Sequence, residues 1–171
     1  EEYSFTRLVF AFGSCNQIRK NEGVQPFIMN ILFFLTPKED VAYLYGDDTL
    51  RQALEKMEHH RYTAIPIIDR KNGHYIGTIT EGDFLWYTKK CYSLTLRDAE
   101  DIPLLSVPRN RNNEPVCAGA DMEDLIHYIT RQNFVPVIDD QKCFIGIITR
   151  KDVISYLADH QKGAKVQHKG V

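Results

Sequence analysis

The chain has 171 residues, 43% of them hydrophobic, which suits one compact domain or two small ones and argues against disorder over most of its length. Lys and Arg number 21 against 23 Asp and Glu, a net charge of -2 with no basic block, so nucleic acid is excluded as a partner. The apolar runs Leu8 to Phe12 and Phe27 to Leu35 are too short for a signal peptide or a membrane span of roughly 20 residues, so no membrane partner and no export are expected.

Residues 1–28 show no clear periodicity, and 1–35 read as an N-terminal extension of unknown role. A first strand is expected at Val41 to Tyr45. Leu50, Ala53, Leu54 and Met57 then recur at i, i+3, i+4, i+7, the spacing of an amphipathic helix, with Asp48 as its acidic N-cap. His59 and His60 are adjacent and point in different directions on that helix, so they do not read as a metal site. Next come a β-rich run from Tyr62 to Asp69, a hairpin turn at Lys71-Asn72-Gly73 and a strand at Tyr75 to Thr80. A second helix follows with Phe84, Leu85 and Tyr87.

This unit is expected to span 36–90, and 91–113 reads as a linker holding Pro103 and Pro108. Its Arg109-Asn110-Arg111-Asn112-Asn113 run reads as a solvated loop, with the alternative that it folds over a cleft mouth toward a phosphate. After it the pattern returns. A strand at Pro115 to Ala118 precedes a helix carrying Met122, Leu125, Ile126 and Ile129, with Asp121 as its N-cap. Tyr62-Thr63-Ala64-Ile65-Pro66-Ile67-Ile68-Asp69 returns as Asn133-Phe134-Val135-Pro136-Val137-Ile138-Asp139. After a turn at Asp140-Gln141-Lys142 and a strand at Cys143 to Thr149, the Gly-x-Ile-Thr-x-x-Asp frame of Gly77 to Asp83 returns as Gly146 to Asp152. A last helix carries Val153, Ile154 and Leu157. The second copy is expected over 114–160, with 161–171 as a tail.

The predicted fold is α/β (α+β): two β-α-β-β-α repeats, each too small to be secure alone, packed sheet to sheet over a shared core. Pro66 and Pro136 cannot donate a ladder hydrogen bond and are expected at edges or bulges where a ligand can come close. The four cysteines, Cys15, Cys91, Cys117 and Cys143, are scattered without CxxC spacing, so neither a disulfide framework nor zinc is expected, and a reducing cytoplasmic setting fits.

Apolar-apolar-Pro followed by Gly-x-x-Thr-x-x-Asp, twice and in order, resembles the CBS domain, two consecutive copies of which form a Bateman module. The resemblance covers about 36–160. It implies a pseudo-two-fold pair with two clefts that bind AMP, ADP, ATP, S-adenosylmethionine or a cyclic dinucleotide such as cyclic di-AMP, and a homodimer in many members. It also implies that the Asp closing each copy holds a ribose.

The residues themselves give that site its chemistry. At Thr149-Arg150-Lys151-Asp152 a strand ends and a helix begins, so free N–H groups and the positive end of the helix dipole suit a phosphate. Thr149 adds a hydroxyl, Arg150 or Lys151 adds positive charge, and Asp152 accepts from paired ribose hydroxyls. The same Thr-x-x-Asp is also a helix-capping signature, and the two uses are compatible. Thr80 and Asp83 repeat the frame with Glu81 in the place of Arg150, so the second cleft is ranked the stronger phosphate site. Ile65-Pro66 with Val41, and Val135-Pro136 with Val116, are candidate adenine slots; Tyr62 or Phe134 is the candidate stacking ring, and Thr63, Ala64 and Asn133 complete the expected lining.

The leading expectation is a non-catalytic sensor that binds an adenine nucleotide as regulatory ligand, requires no cofactor and signals to an effector protein in trans. A constitutive interaction or dimerisation module with vestigial clefts is the alternative. No nucleophile with its base, P-loop or Gly-rich dinucleotide motif supports an enzyme. S-adenosylmethionine, cationic at sulfur, has less reason to choose the Arg150-Lys151 end.

Overall fold

The computed structural model describes residues 30–91 and 98–166, with side chains through 159. The expectations for 1–29, Cys15 among them, and for 167–171 lie outside the described residues.

In the first copy α1 (Leu50–His60) buries Leu50, Ala53 and Met57, three of the four residues of its apolar row. Its N-cap is Thr49 rather than Asp48: the Thr49 hydroxyl accepts from the Gln52 N–H, and the Gln52 side chain accepts from the Thr49 N–H. Asp48 instead accepts from the Tyr45 N–H and from Arg70. The helix stops at Arg61, which takes the left-handed conformation (φ 55°) and returns its N–H to Glu58 and Met57.

The chain then runs through β3 (Ala64–Ile68), β4 (Tyr75–Thr80) and α2 (Glu81–Lys90). In the second copy α3 (Met122–Ile129), β6 (Phe134–Ile138), β7 (Phe144–Thr149) and α4 (Arg150–Val166) repeat the order, and Asp121 caps α3 as expected. The α4 backbone continues to Val166, past the expected end of the copy at 160.

The first strands are shorter than expected. Only Leu44–Tyr45 (β2) and Val116–Cys117 (β5) ladder, each parallel to the β-rich strand of its own copy. Leu44 faces Ile67 and Val116 faces Val137, so the counterpart of Val116 is Leu44 and not Val41. Two sheets result, β2-β3-β4 and β1-β7-β6-β5. The fourth strand, β1 (Thr36–Pro37), comes from the chain ahead of the first copy and pairs antiparallel with β7 of the second.

Each copy has its own apolar core rather than one shared core. Leu44, Leu50, Ile65, Ile67, Ile79 and Phe84 form the first; Val116, Leu125, Val135, Val137, Ile148 and Val153 form the second. The leading segments cross over: Ile31 and Phe34 fill the second core, while Leu104 and Val107 fill the first. A smaller cluster joins the copies, with Val41, Ile68 and Phe144 under Tyr43, Tyr45 and Tyr75. The hairpin tips meet beside it, through Phe144 N–H to Gly73 O (2.9 Å) and a bridge between His74 and Cys143. Leu85 and Ile154 are exposed, because burying Phe84 and Val153 turns the next side chain on each helix outward, and Leu157 is exposed as well. Among the described residues no helix is long and apolar enough to cross a membrane.

Candidate functional site

The repeated motif converges at one end of each sheet. Ala64 faces Thr80 across β3 and β4, and the Glu81 N–H that opens α2 donates to Thr63 O at 3.0 Å. In the second copy Phe134 faces Thr149, and the Arg150 N–H donates to Asn133 O at 2.9 Å. Strand start, strand end and helix start therefore meet, bringing together Thr63 to Pro66 with Thr80 and Asp83, and Asn133 to Pro136 with Thr149 to Asp152. Pro66 and Pro136 lie in interior strands instead of at an edge, one residue before the register irregularities at Ile67/Ile68 and Val137/Ile138. Each precedes the point where the short first strand joins, so no ladder pairing is lost on that side.

The two carboxylates differ in what they hold. Asp83, 2% exposed, has both oxygens engaged. One accepts from the Thr80 N–H (2.9 Å) and hydroxyl (2.7 Å), completing a capping box, and the other accepts from the Asn110 N–H (2.8 Å) and side-chain amide (3.1 Å). Asp152 is exposed, and one of its oxygens accepts from the Thr149 hydroxyl at 2.6 Å. Its other oxygen has no donor among the described residues.

Arg150, expected to add positive charge for a phosphate, is drawn through its Nε to the end of α3. Its Nε donates to Ile129 O (2.9 Å) and Gln132 O (3.1 Å), satisfying carbonyls left free where α3 ends. Lys151 is exposed. The preference for the second cleft thus rests on the open Asp152 rather than on the guanidinium. In the first copy Glu81 is exposed at the mouth of α2.

Several expected lining residues are elsewhere or enclosed. Val41 packs with Ile68 and Phe144 at the hairpin end, away from the Ala64 end where Thr80 and Asp83 stand, so it forms no slot with Ile65-Pro66. Ile65 and Val135 are fully buried, and Val116 and Phe134 are nearly so, which leaves Phe134 no open ring face for a base. Tyr62 is exposed, its ring tilted over His60 at 5.3 Å.

Tyr75 was not among the expected site residues, and Asn110 and Asn113 entered only through the alternative that the Arg/Asn run folds over a cleft mouth. The Asn113 side chain donates to Phe134 O at 2.8 Å, and the Tyr75 hydroxyl donates to Asn113 O at 2.8 Å, so the Arg/Asn run, although exposed at Asn110, Arg111 and Asn112, is tied across both copies. Burial pushes the Tyr75 phenol pKa up, partly offset by its Thr78 hydrogen bond and by Arg109. Two cavities flank the run and share Asn110 as a wall: one of about 320 Å³ lined by Asp83, Trp86, Tyr87, Lys90 and Pro108, and one of about 510 Å³ that includes Arg111, Tyr128 and Arg131.

Comparison with known proteins fits this arrangement. The CBS-domain profile matches residues 34–90 and 100–159. Cyclic di-AMP receptor B of Bacillus subtilis (strain 168) is 30% identical over 132 residues, covering 74% of this chain and 85% of the receptor. Inosine-5'-monophosphate dehydrogenase of Methanocaldococcus jannaschii is 28% identical over 120 residues, and the match takes in 68% of this chain but only 21% of the dehydrogenase. The crystal structure of CbpB in complex with c-di-AMP superposes with a TM-score of 0.72 at 26% identity, over 82% of this chain and 92% of that one. CbpB from Streptococcus agalactiae gives 0.68 at 26% identity, over 82% and 87%. With both copies of the motif matched and the paired sheets shared with these structures, the chain belongs to the CBS-domain family and carries two consecutive copies of the domain.

Proposed function

We propose that this chain is a non-catalytic regulatory module that binds an adenine nucleotide in the second-copy cleft and passes its occupancy to a partner protein in trans. The observation that carries this reading is the exposed Asp152, fixed by Thr149 at the start of α4 with one oxygen open, a fitting acceptor for ribose hydroxyls beside a helix N-terminus that favours phosphate. The relatives supply the ligand class, since one is named a cyclic di-AMP receptor and another was solved with c-di-AMP. AMP, ADP and ATP offer the same ribose and phosphate chemistry.

Thermal unfolding of wild type and Asp152→Ala against AMP, ADP, ATP, cyclic di-AMP and S-adenosylmethionine tests the reading. A ligand at 100 times its dissociation constant stabilises by about 2.7 kcal/mol, roughly 5–10 °C for a chain of this size. One adenine compound is expected to raise the wild-type midpoint and leave the variant unmoved. If none moves the wild type, and the purified protein carries no bound nucleotide, the reading fails. A constitutive docking or homodimer module then takes its place, favoured by the exposed Leu85, Trp86, Ile154 and Leu157 on α2 and α4.

A further inference from the structure

The linker that joins the two copies has the contacts of an occupant. Asn110 presents two donors, its backbone N–H and its side-chain amide, to one oxygen of Asp83 at 2.8 and 3.1 Å. That is the hydrogen-bond pattern a pair of ribose hydroxyls would make with this carboxylate. On either side of Asn110 lie the cavities of about 320 and 510 Å³, each in the size range of small-ligand sites. The smaller offers the rings of Trp86 and Tyr87, which do not belong to the linker and suit a base.

The linker is held there without a backbone ladder. No strand forms over 108–113, and its ties are Asn110 to Asp83, Asn113 to Phe134 O, Tyr75 to Asn113 O, and a long 3.4 Å contact from Arg109 to Ile76 O. The chain leading into the first copy behaves differently, because β1 is laddered to β7 and Asp152 keeps an open oxygen. Close approach at Gly77 makes the linker's fit specific, since a Cβ there would strike the Arg109 guanidinium.

We infer that residues 108–113 are an intramolecular occupant of the first-copy cleft, holding shut a second nucleotide site that opens when Asn110 leaves Asp83. This deepens the proposed function and rests on that reading for the ligand class. It makes the free chain asymmetric, with one open cleft and one self-occupied, so that a second nucleotide binds only by displacing the linker.

Calorimetric titration of the full chain with AMP and with cyclic di-AMP tests this. Wild type is expected to bind one equivalent per chain and Arg109→Ala/Asn110→Pro, which removes both the backbone and the side-chain donor to Asp83, two, one of which survives when Asp152→Ala is added. If the double variant still binds one equivalent and Asp152→Ala abolishes it, the linker is not a gate, although the reading of the second cleft stands. If wild type binds nothing while the double variant binds one equivalent, the second-cleft reading fails and the gate stands. A double variant that binds nothing overturns the inference. Hydrogen exchange on unmutated protein gives an answer independent of how the variant folds. Millimolar nucleotide is expected to speed exchange of the Asn110 N–H at least tenfold, and an unchanged rate overturns the gate.

Discussion

Replacing Ile31 by Ala tests whether the short segment ahead of the first copy is a structural part of the second. Ile31 is 0% exposed and packs in the cluster of Val116, Leu125, Val135 and Val153. Truncating a buried Ile to Ala removes its transfer free energy and leaves a cavity, for a loss of about 2–5 kcal/mol. Taking about 3 kcal/mol, and roughly 2–4 °C per kcal/mol for a domain of this size, the melting midpoint falls by roughly 6–12 °C. The neighbouring Phe33 is 71% exposed and makes edge contacts with Phe34 and Tyr156, so Phe33→Ala is expected to cost about 1 kcal/mol or less. Differential scanning calorimetry of both variants at one concentration separates the two cases. If Ile31→Ala melts within 1–2 °C of Phe33→Ala, residues 31–34 are not part of the second core and the crossover of leading segments is refuted.

Three further substitutions probe other parts of the account. Thr49→Ala removes the hydroxyl that caps α1 and is expected to cost about 1 kcal/mol by urea denaturation, whereas a cost near zero returns the cap to Asp48. Gly146→Ala places a Cβ against the Thr36 carbonyl oxygen of β1, a backbone atom, and is expected to cost about 1–3 kcal/mol, more than Gly77→Ala, whose first obstacle is the flexible Arg109 side chain. Equal losses at the two glycines would contradict the β1–β7 pairing. The phenol of Tyr75 has a raised pKa, so the folded chain keeps a proton that the unfolded chain releases above the ordinary value of 10.0. Its contribution to stability is present below pH 10 and lost as pH rises beyond it, so the melting midpoint is expected to fall in alkali more steeply for wild type than for Tyr75→Phe. Parallel slopes would remove Tyr75 from the account.

The repeat made much of the fold legible before any coordinates. Continuous apolar, β-rich runs around Pro66 and Pro136, helical rows at Leu50 and Leu125, and the recurring Gly-x-Ile-Thr-x-x-Asp frame each place a strand or helix through local chemistry. The crossover was not legible, because Ile31–Phe34 and Leu104–Ser106 are single short turns with too few residues to show a period, and their destinations are set by a core distant in sequence. Asp48 and Thr49 are both good caps one residue apart, and only the reach of Gln52 decides between them.

At the candidate site, Thr149 and Asp152 could be read directly from the motif. Arg150 misled because its charge is visible in sequence while the α3 carbonyls that claim it are not. Asn110 was hidden for the complementary reason: nothing about an Asn in a polar run tells which carboxylate it will meet. Val41 and Val116 look alike in sequence, but strand register equates Val116 with Leu44.

A crystal structure of the full chain with the adenine nucleotide that stabilises it most would test the central claim directly. Ribose hydroxyls are expected on the open oxygen of Asp152, with the phosphate over the first turn of α4. A ligand bound away from both Thr-x-x-Asp ends would contradict it, as would a ligand on Asp83 with the Asp152 cleft empty.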